Sequence, residues 1–189
     1  MCGWENQKVI VCIDAGHGGK DAGSVSSNGK RYEKDDNLKI ALQVKKELEK
    51  QDVKVILTRE EDTFVSLQNR CKIANWRMAD LFVSIHRNSS KSGDGVEIWI
   101  NNERDETSEK LANDILNGLE KTKIQSNRGV KTGTSENNGS DYFVNKNTKM
   151  PSCLIELGFI SNKKDNQLLD ENLEEYAKAI SRGILQNLK

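Results

Sequence analysis

Apolar positions along the chain follow two rhythms, and the two alternate. Mostly apolar runs at 9–13, 53–58 and 81–85 read as strands. Between the first two, Leu38, Ala41, Leu42, Val44 and Leu48 recur at helical spacing. A helix is expected there from Asp35 or Asp36, either of which suits a cap, to about Lys50. Between the second and third runs, Leu67, Cys71, Ala74 and Met78 mark another helix over about 66–78. Strand, helix, strand, helix, strand is the pattern of a parallel sheet. Right-handed crossovers then bring the C-terminal ends of the strands to one edge.

The second half is less regular. Residues 95–100 alternate, as in an edge strand that can run antiparallel, and the alternation of Glu97 with Val96 and Ile98 puts Glu97 toward solvent. A helix over about 106–119 buries Leu111, Ala112, Ile115 and Leu119. Residues 125–141, rich in Asn, Gly, Ser and Thr, read as the longest structureless stretch, a length that usually carries function. Residues 142–144 read as a short strand. Residues 152–157 read as a central buried strand with a carboxylate, Glu156, near its end. Ser161 or Asn162 caps a short helix, and a last helix carries Leu173, Tyr176, Ala177, Ile180, Ile184 and Leu188 on one stripe. The expectation is one domain over 1–189, with 1–7 as a flexible N-terminus.

Charge narrows the function. Lys and Arg number 29, Asp and Glu 29, so the net charge is zero and no basic footprint points to nucleic acid or to a membrane surface. No apolar run is long enough to span a bilayer. Residues 1–8 are polar and lack the basic-then-apolar pattern of a secretory signal, which favours cytoplasmic synthesis. Cys2, Cys12, Cys71 and Cys153 have no metal-ligand spacing. Cys12, Cys71 and Cys153 sit in apolar surroundings and read as small buried hydrophobes with free thiols.

The chain has two histidines, and each follows an apolar run. His17 lies in the glycine turn Asp14-Ala15-Gly16-His17-Gly18-Gly19, and His86 ends the run at 81–85. Open α/β sheets place their sites outside the carboxyl ends of the strands, and zinc takes neutral imidazole as a ligand. Asp14, Asp21, Glu33, Asp35 and Asp36 are candidates for a third ligand. Spacing does not choose among them, although Glu33 sits where the first crossover enters its helix. Glu156 is a carboxylate in an apolar strand, where it must be paired, used or turned to solvent. The glycine turn fails as a phosphate loop, because Asp21 follows Gly19-Lys20 and Asp14 occupies the first glycine position. Its glycines suit a sharp turn and close approach of a ligand to His17.

Several blocks occur in order: Ile13 to Asp21, Glu33-Lys34-Asp35 with Asn37-Leu38, Leu57-Thr58-Arg59, Ser84-Ile85-His86, Met150-Pro151 and Ile155 to Asn162. Together they resemble the zinc-dependent N-acetylmuramoyl-L-alanine amidases of type 3. The resemblance implies a twisted, mostly parallel mixed sheet of about six strands with helices on both faces. It implies Zn2+ held by His17, Glu33 and His86, with Glu156 as the catalytic carboxylate. It implies peptidoglycan as substrate, cut between muramic acid and L-alanine after release or export to the wall, as in a phage endolysin or bacterial autolysin. A monomer without a wall-binding domain is expected, and Asp14 is a candidate for orienting an imidazole. Alternatives are a zinc peptidase acting within the stem peptide and a non-catalytic wall-binding module. Two departures stand out: Arg87, where the family usually has a small residue, and a segment at 133–142 that looks longer than usual. Both are expected along a substrate groove.

Overall fold

The computed structural model describes residues 8–103, 105–135 and 140–188, so Cys2 and the expected flexible stretch 1–7 lie outside the described residues. The elements run β1 (Ile10–Ala15), α1 (Glu33–Glu49), β2 (Lys54–Leu57), α2 (Leu67–Trp76), β3 (Leu81–Asn88), β4 (Val96–Ile100), α3 (Glu106–Glu120), β5 (Asn127–Thr132), α4 (Phe143–Asn147), β6 (Ser152–Phe159) and α5 (Lys163–Asn187). The six strands form one sheet in the order β2-β1-β3-β6-β4-β5. Every pairing is parallel except β4 with β6. The connection from β3 to β4, residues 89–95, is too short for a parallel crossover, so β4 must run back against the sheet.

Alternation along the strands divides the core into two layers. Ile13, Val83, Ile85, Ile98 and Ile155 pack against α1, α3 and α5 through Ile40, Val44, Ile115 and Ile180. Cys12, Phe82, Trp99 and Leu154 point to the other face and meet Cys71 and Ala74 of α2 and Val144 of α4. Cys12, Cys71 and Cys153 are free and buried. α3 and α5 cross so closely that a Cβ on Gly183 would stand 2.3 Å from the Ile115 Cα, so only glycine fits there.

Local expectations are corrected in several places. α1 begins at Glu33 with Tyr32 as its flanking residue, three or four positions before the expected cap at Asp35 or Asp36. Leu42, Leu67 and Met78, assigned to buried helix faces by spacing, are exposed. The stretch 125–141 contains a strand, β5, and Phe143 opens a short helix where a strand was expected. β4 is interior, flanked by β6 and β5, and β5 takes the edge. The two C-terminal helices are one, α5, kinked at Asn172 and capped by Asn162, whose side chain accepts the Lys164 and Asp165 amides. Among the described residues no helix is long and apolar enough to cross a membrane.

Candidate metal centre

β1 stops at Ala15, and the Gly16 amide donates to the Ile85 carbonyl of β3 at 3.1 Å. A Cβ on Gly16 would lie 2.3 Å from the His86 ring, so this glycine lets the turn pass beside the imidazole. His17 then adopts φ 58°, a left-handed conformation unusual for any side chain but glycine. Two arginines hold it there. Arg70 donates to the carbonyls of Ala15 (2.6 Å) and His17 (2.7 Å), and Arg59 donates to those of Ala15 and Gly16, each at 2.9 Å. Asp14 fixes Arg70 at 2.7 Å and also accepts from the Thr58 and Ser84 hydroxyls, both at 2.6 Å. Asp14 thus anchors the turn and touches neither histidine. The carboxylate that orients an imidazole is Asp21, whose Oδ2 lies 2.9 Å from His17 Nδ1.

With Nδ1 engaged, His17 turns Nε2 toward Glu33 Oε1 at 3.2 Å. His86 Nδ1 lies 2.9 Å from the same oxygen, and the two rings stand 4.9 Å apart, edge to face. Glu33, at the first position of α1, also accepts the Ser24 amide on Oε2 (2.8 Å) and the Arg87 amide on Oε1 (3.1 Å). One donor atom from each of His17, Glu33 and His86 lies within 4.8 Å of the others. Among the five carboxylates left open by spacing, the structure brings Glu33 to the two imidazoles. Asp35 is exposed, and Asp36 faces Arg31 and Arg87.

Burial works against the charge on Glu33, but hydrogen bonds and charge from His17 and His86 outweigh it and hold its pKa far below the usual carboxylate range. Burial also lowers the His17 pKa, and Glu33 and Asp21 more than offset this, so it is raised. An ionised carboxylate between two imidazoles is a donor set that fits a divalent cation of the zinc type, with a coordination position left for water or substrate.

β6 delivers the fourth group. Glu156 pairs in register with His86, so both side chains leave the same face of the sheet at its carboxyl edge. Glu156 is buried, and its Oε2 has no hydrogen-bond partner among the described residues. Burial, then the charges of Glu33 and Glu97, push its pKa well above the ordinary value. A cation at the triad would reverse part of this balance. His17, Glu33, His86 and Glu156 share a cleft of about 830 Å³, with Phe64 and Leu67 on one wall and Ser135 and Tyr142 on another.

One expectation about a neighbouring residue fails and another is narrowed. Glu97 does not face solvent: it is buried and accepts from Arg128 (2.8 Å), Lys131 (2.6 Å), Asn88 (2.8 Å) and Trp99 (3.1 Å). Arg87 lines the cleft as expected, but its guanidinium turns away from it. One residue beyond His86, it points to the opposite face, where its buried guanidinium meets Asp36 at 2.5 Å and Asn166 at 2.9 Å. Its amide, by contrast, reaches the site through Glu33. The roles of Arg59 and Arg70 were missed, because partners supplied by carbonyls leave no trace in side-chain spacing.

A triad of this kind, at the carboxyl edge of an open α/β sheet beside a free carboxylate, places the protein among hydrolases built around a metal-binding centre. The profile of the N-acetylmuramoyl-L-alanine amidases matches residues 11–186, and the chain belongs to that family. It is 40% identical over 178 residues to YqiI of Bacillus subtilis (strain 168), covering 92% of this chain and 82% of that protein. It is 34% identical to the probable cell wall amidase LytH of Staphylococcus epidermidis (strain ATCC 35984), covering 96% of this chain but 57% of LytH. The chain therefore spans little more than half of that relative. The crystal structure of an N-acetylmuramoyl-L-alanine amidase from Clostridium difficile 630 superposes with a TM-score of 0.88 at 33% identity, covering 96% of this chain and 97% of that one.

Proposed function

We propose that the protein hydrolyses the amide bond between N-acetylmuramic acid and L-alanine in peptidoglycan, with Zn2+ as its resident ion and His17, Glu33 and His86 as the ligands. The observation that carries this reading is Glu156, a buried carboxylate without a partner, set beside three converging metal-ligand atoms. Zinc bound there supplies a Lewis acid for the scissile carbonyl and lowers the pKa of a bound water.

The protein's own groups do the rest. Asp21 holds the His17 ring so that Nε2 faces the centre. Glu33 stays ionised under its bonds from the two imidazoles. Glu156 accepts a proton from the attacking water at its free oxygen and returns it to the leaving L-alanine nitrogen. Burial limits competition from bulk water for that oxygen, so the transfer is short and directed. The substrate places the site of action at the bacterial wall, reached by release or export, with the chain working as a monomer.

Digestion of purified peptidoglycan tests the reading. The expected products carry a new L-alanine amino terminus and intact glycan by mass spectrometry. Chelation is expected to abolish release and added zinc to restore it. A cut within the stem peptide would replace this reading by a peptidase. Intact peptidoglycan after incubation with the zinc-loaded protein would leave a wall-binding module.

A further inference from the structure

β5 carries a displacement that the amidase reaction does not by itself require. Between Val96 and Ile98 of β4, the partner on β5 advances from Asn127 to Val130, so one extra residue is accommodated near Arg128 and Gly129. Gly129 takes φ 89°, which allows the bulge. In a regular strand Arg128 and Lys131, three apart, would point to opposite faces. Here both reach one atom, Glu97 Oε2, at 2.8 and 2.6 Å. Bulges that re-aim a side chain are common beside active sites.

Glu97 is saturated. Its other oxygen takes the Asn88 amide and the Trp99 indole, and its side chain is only 3% exposed. Two cations on one carboxylate leave a surplus positive charge. Asp94 offers Arg128 its backbone carbonyl at 3.3 Å and turns its carboxylate to Ser126. Both cations are stiffened from behind, Arg128 over the Phe159 ring and Lys131 over the Trp99 ring, yet each remains about one-third exposed. The platform adjoins the cleft. Glu97 lies directly across from Glu156 in the β4–β6 pairing, and β5 is one strand further out. Two strand spacings put the cations roughly 10 Å from Glu156. Asn88 and Tyr142, which line the cleft, touch Glu97 and Trp99 respectively.

We infer that Arg128 and Lys131 form a carboxylate-binding subsite for the acidic residue that follows L-alanine in the stem peptide. The inference rests on the amidase reading, which supplies the anion. An extended residue advances about 3.5 Å, so a carboxylate two to three residue lengths from the scissile amide reaches the pair. Among the described residues Arg128 Nη2 meets no acceptor, and the Lys131 ammonium has further protons.

The test is a pair of synthetic muramoyl-L-alanyl peptides, identical except that the residue after L-alanine bears a free carboxylate or its carboxamide. The native zinc-loaded enzyme is expected to favour the acid by about tenfold in kcat/KM, through KM, with the preference shrinking as salt rises. Arg128→Gln and Lys131→Gln each leave one cation on Glu97, and each is expected to bring the ratio toward one. Arg128→Lys and Lys131→Arg are expected to retain it. Equal cleavage of the two peptides by the native enzyme overturns the subsite while the amidase reading stands. Failure to cut the muramoyl–alanine bond in either peptide overturns the amidase reading, and the subsite with it.

Discussion

Two carboxylates, both buried, stand at the same edge of the sheet, one at the end of β1 and one near the end of β6, and they are treated in opposite ways. Asp14 is fully engaged by Thr58, Ser84 and Arg70. Burial disfavours its charge, but Arg70 and the two hydroxyls prevail and lower its pKa. Glu156 is also buried, keeps one oxygen without a partner among the described residues, and has its pKa raised. Depth therefore does not separate the carboxylate proposed to react from the structural one; the withheld hydrogen bonds do. An unsatisfied buried polar group destabilises a fold by about 1–3 kcal/mol, a loss that the proposed proton transfer at Glu156 would account for. Asp14 contributes the complement, a rigid turn on which His17 is displayed.

This contrast is easily put at risk. The largest effect is expected from Glu156→Gln, which keeps shape and removes the proton acceptor. Activity on peptidoglycan should fall by about 10²- to 10⁴-fold, while the melting temperature stays equal or rises. Full activity in that variant would end the assignment. Next comes Asp14→Ala, which strands the Arg70 guanidinium in the interior. Urea unfolding should show a loss of about 3–5 kcal/mol, and the specific activity of whatever fraction remains folded should survive far better than in Glu156→Gln. Activity lost without any loss of stability would make Asp14 a participant in the reaction instead.

The smallest effect is in the acid limb of stability. Unfolded, Asp14 takes up its proton near the ordinary aspartate value. Folded, it keeps its charge to lower pH. Its contribution is therefore complete above the unfolded value and is lost as pH falls through the folded one. The native protein should shed up to about 1.4 kcal/mol per pH unit more steeply there than Asp14→Asn does. Parallel curves for the two proteins would mean that Asp14 is not held in its charged form.

The same contrast explains what could be read in advance. His17, His86 and Glu156 stand out in the sequence because each follows, ends or interrupts an apolar run, and the structure gathers them with Glu33. The choice of Glu33 over Asp35 and Asp36 was not legible from spacing. It depends on α1 starting at Glu33, a boundary that no strong cap announces. Glu97 was misread because alternation implies one wet face, whereas here cations from β5 cover that face. β5 itself, with its glycine and bulge, has little strand character of its own and is organised by pairing to β4. Phe143 and Val144, good strand formers, enter a helix because Val144 fills the layer between α2 and the sheet.

The three prospective ligands belong to three different segments, and Glu33 and His86 are separated by 53 residues in sequence. No local fragment presents the set, since β1 and β3 must first pair to bring the glycine turn against His86. Closing those loops is an entropic hurdle that the ion does not help the chain to clear beforehand. Once the topology is complete, an ion that binds only there draws the folding equilibrium forward. At free metal one hundred times its dissociation constant, the gain is about 2.7 kcal/mol. With the proposed ion, metal supply would set more than turnover: it would set how long each molecule survives in a proteolytic milieu.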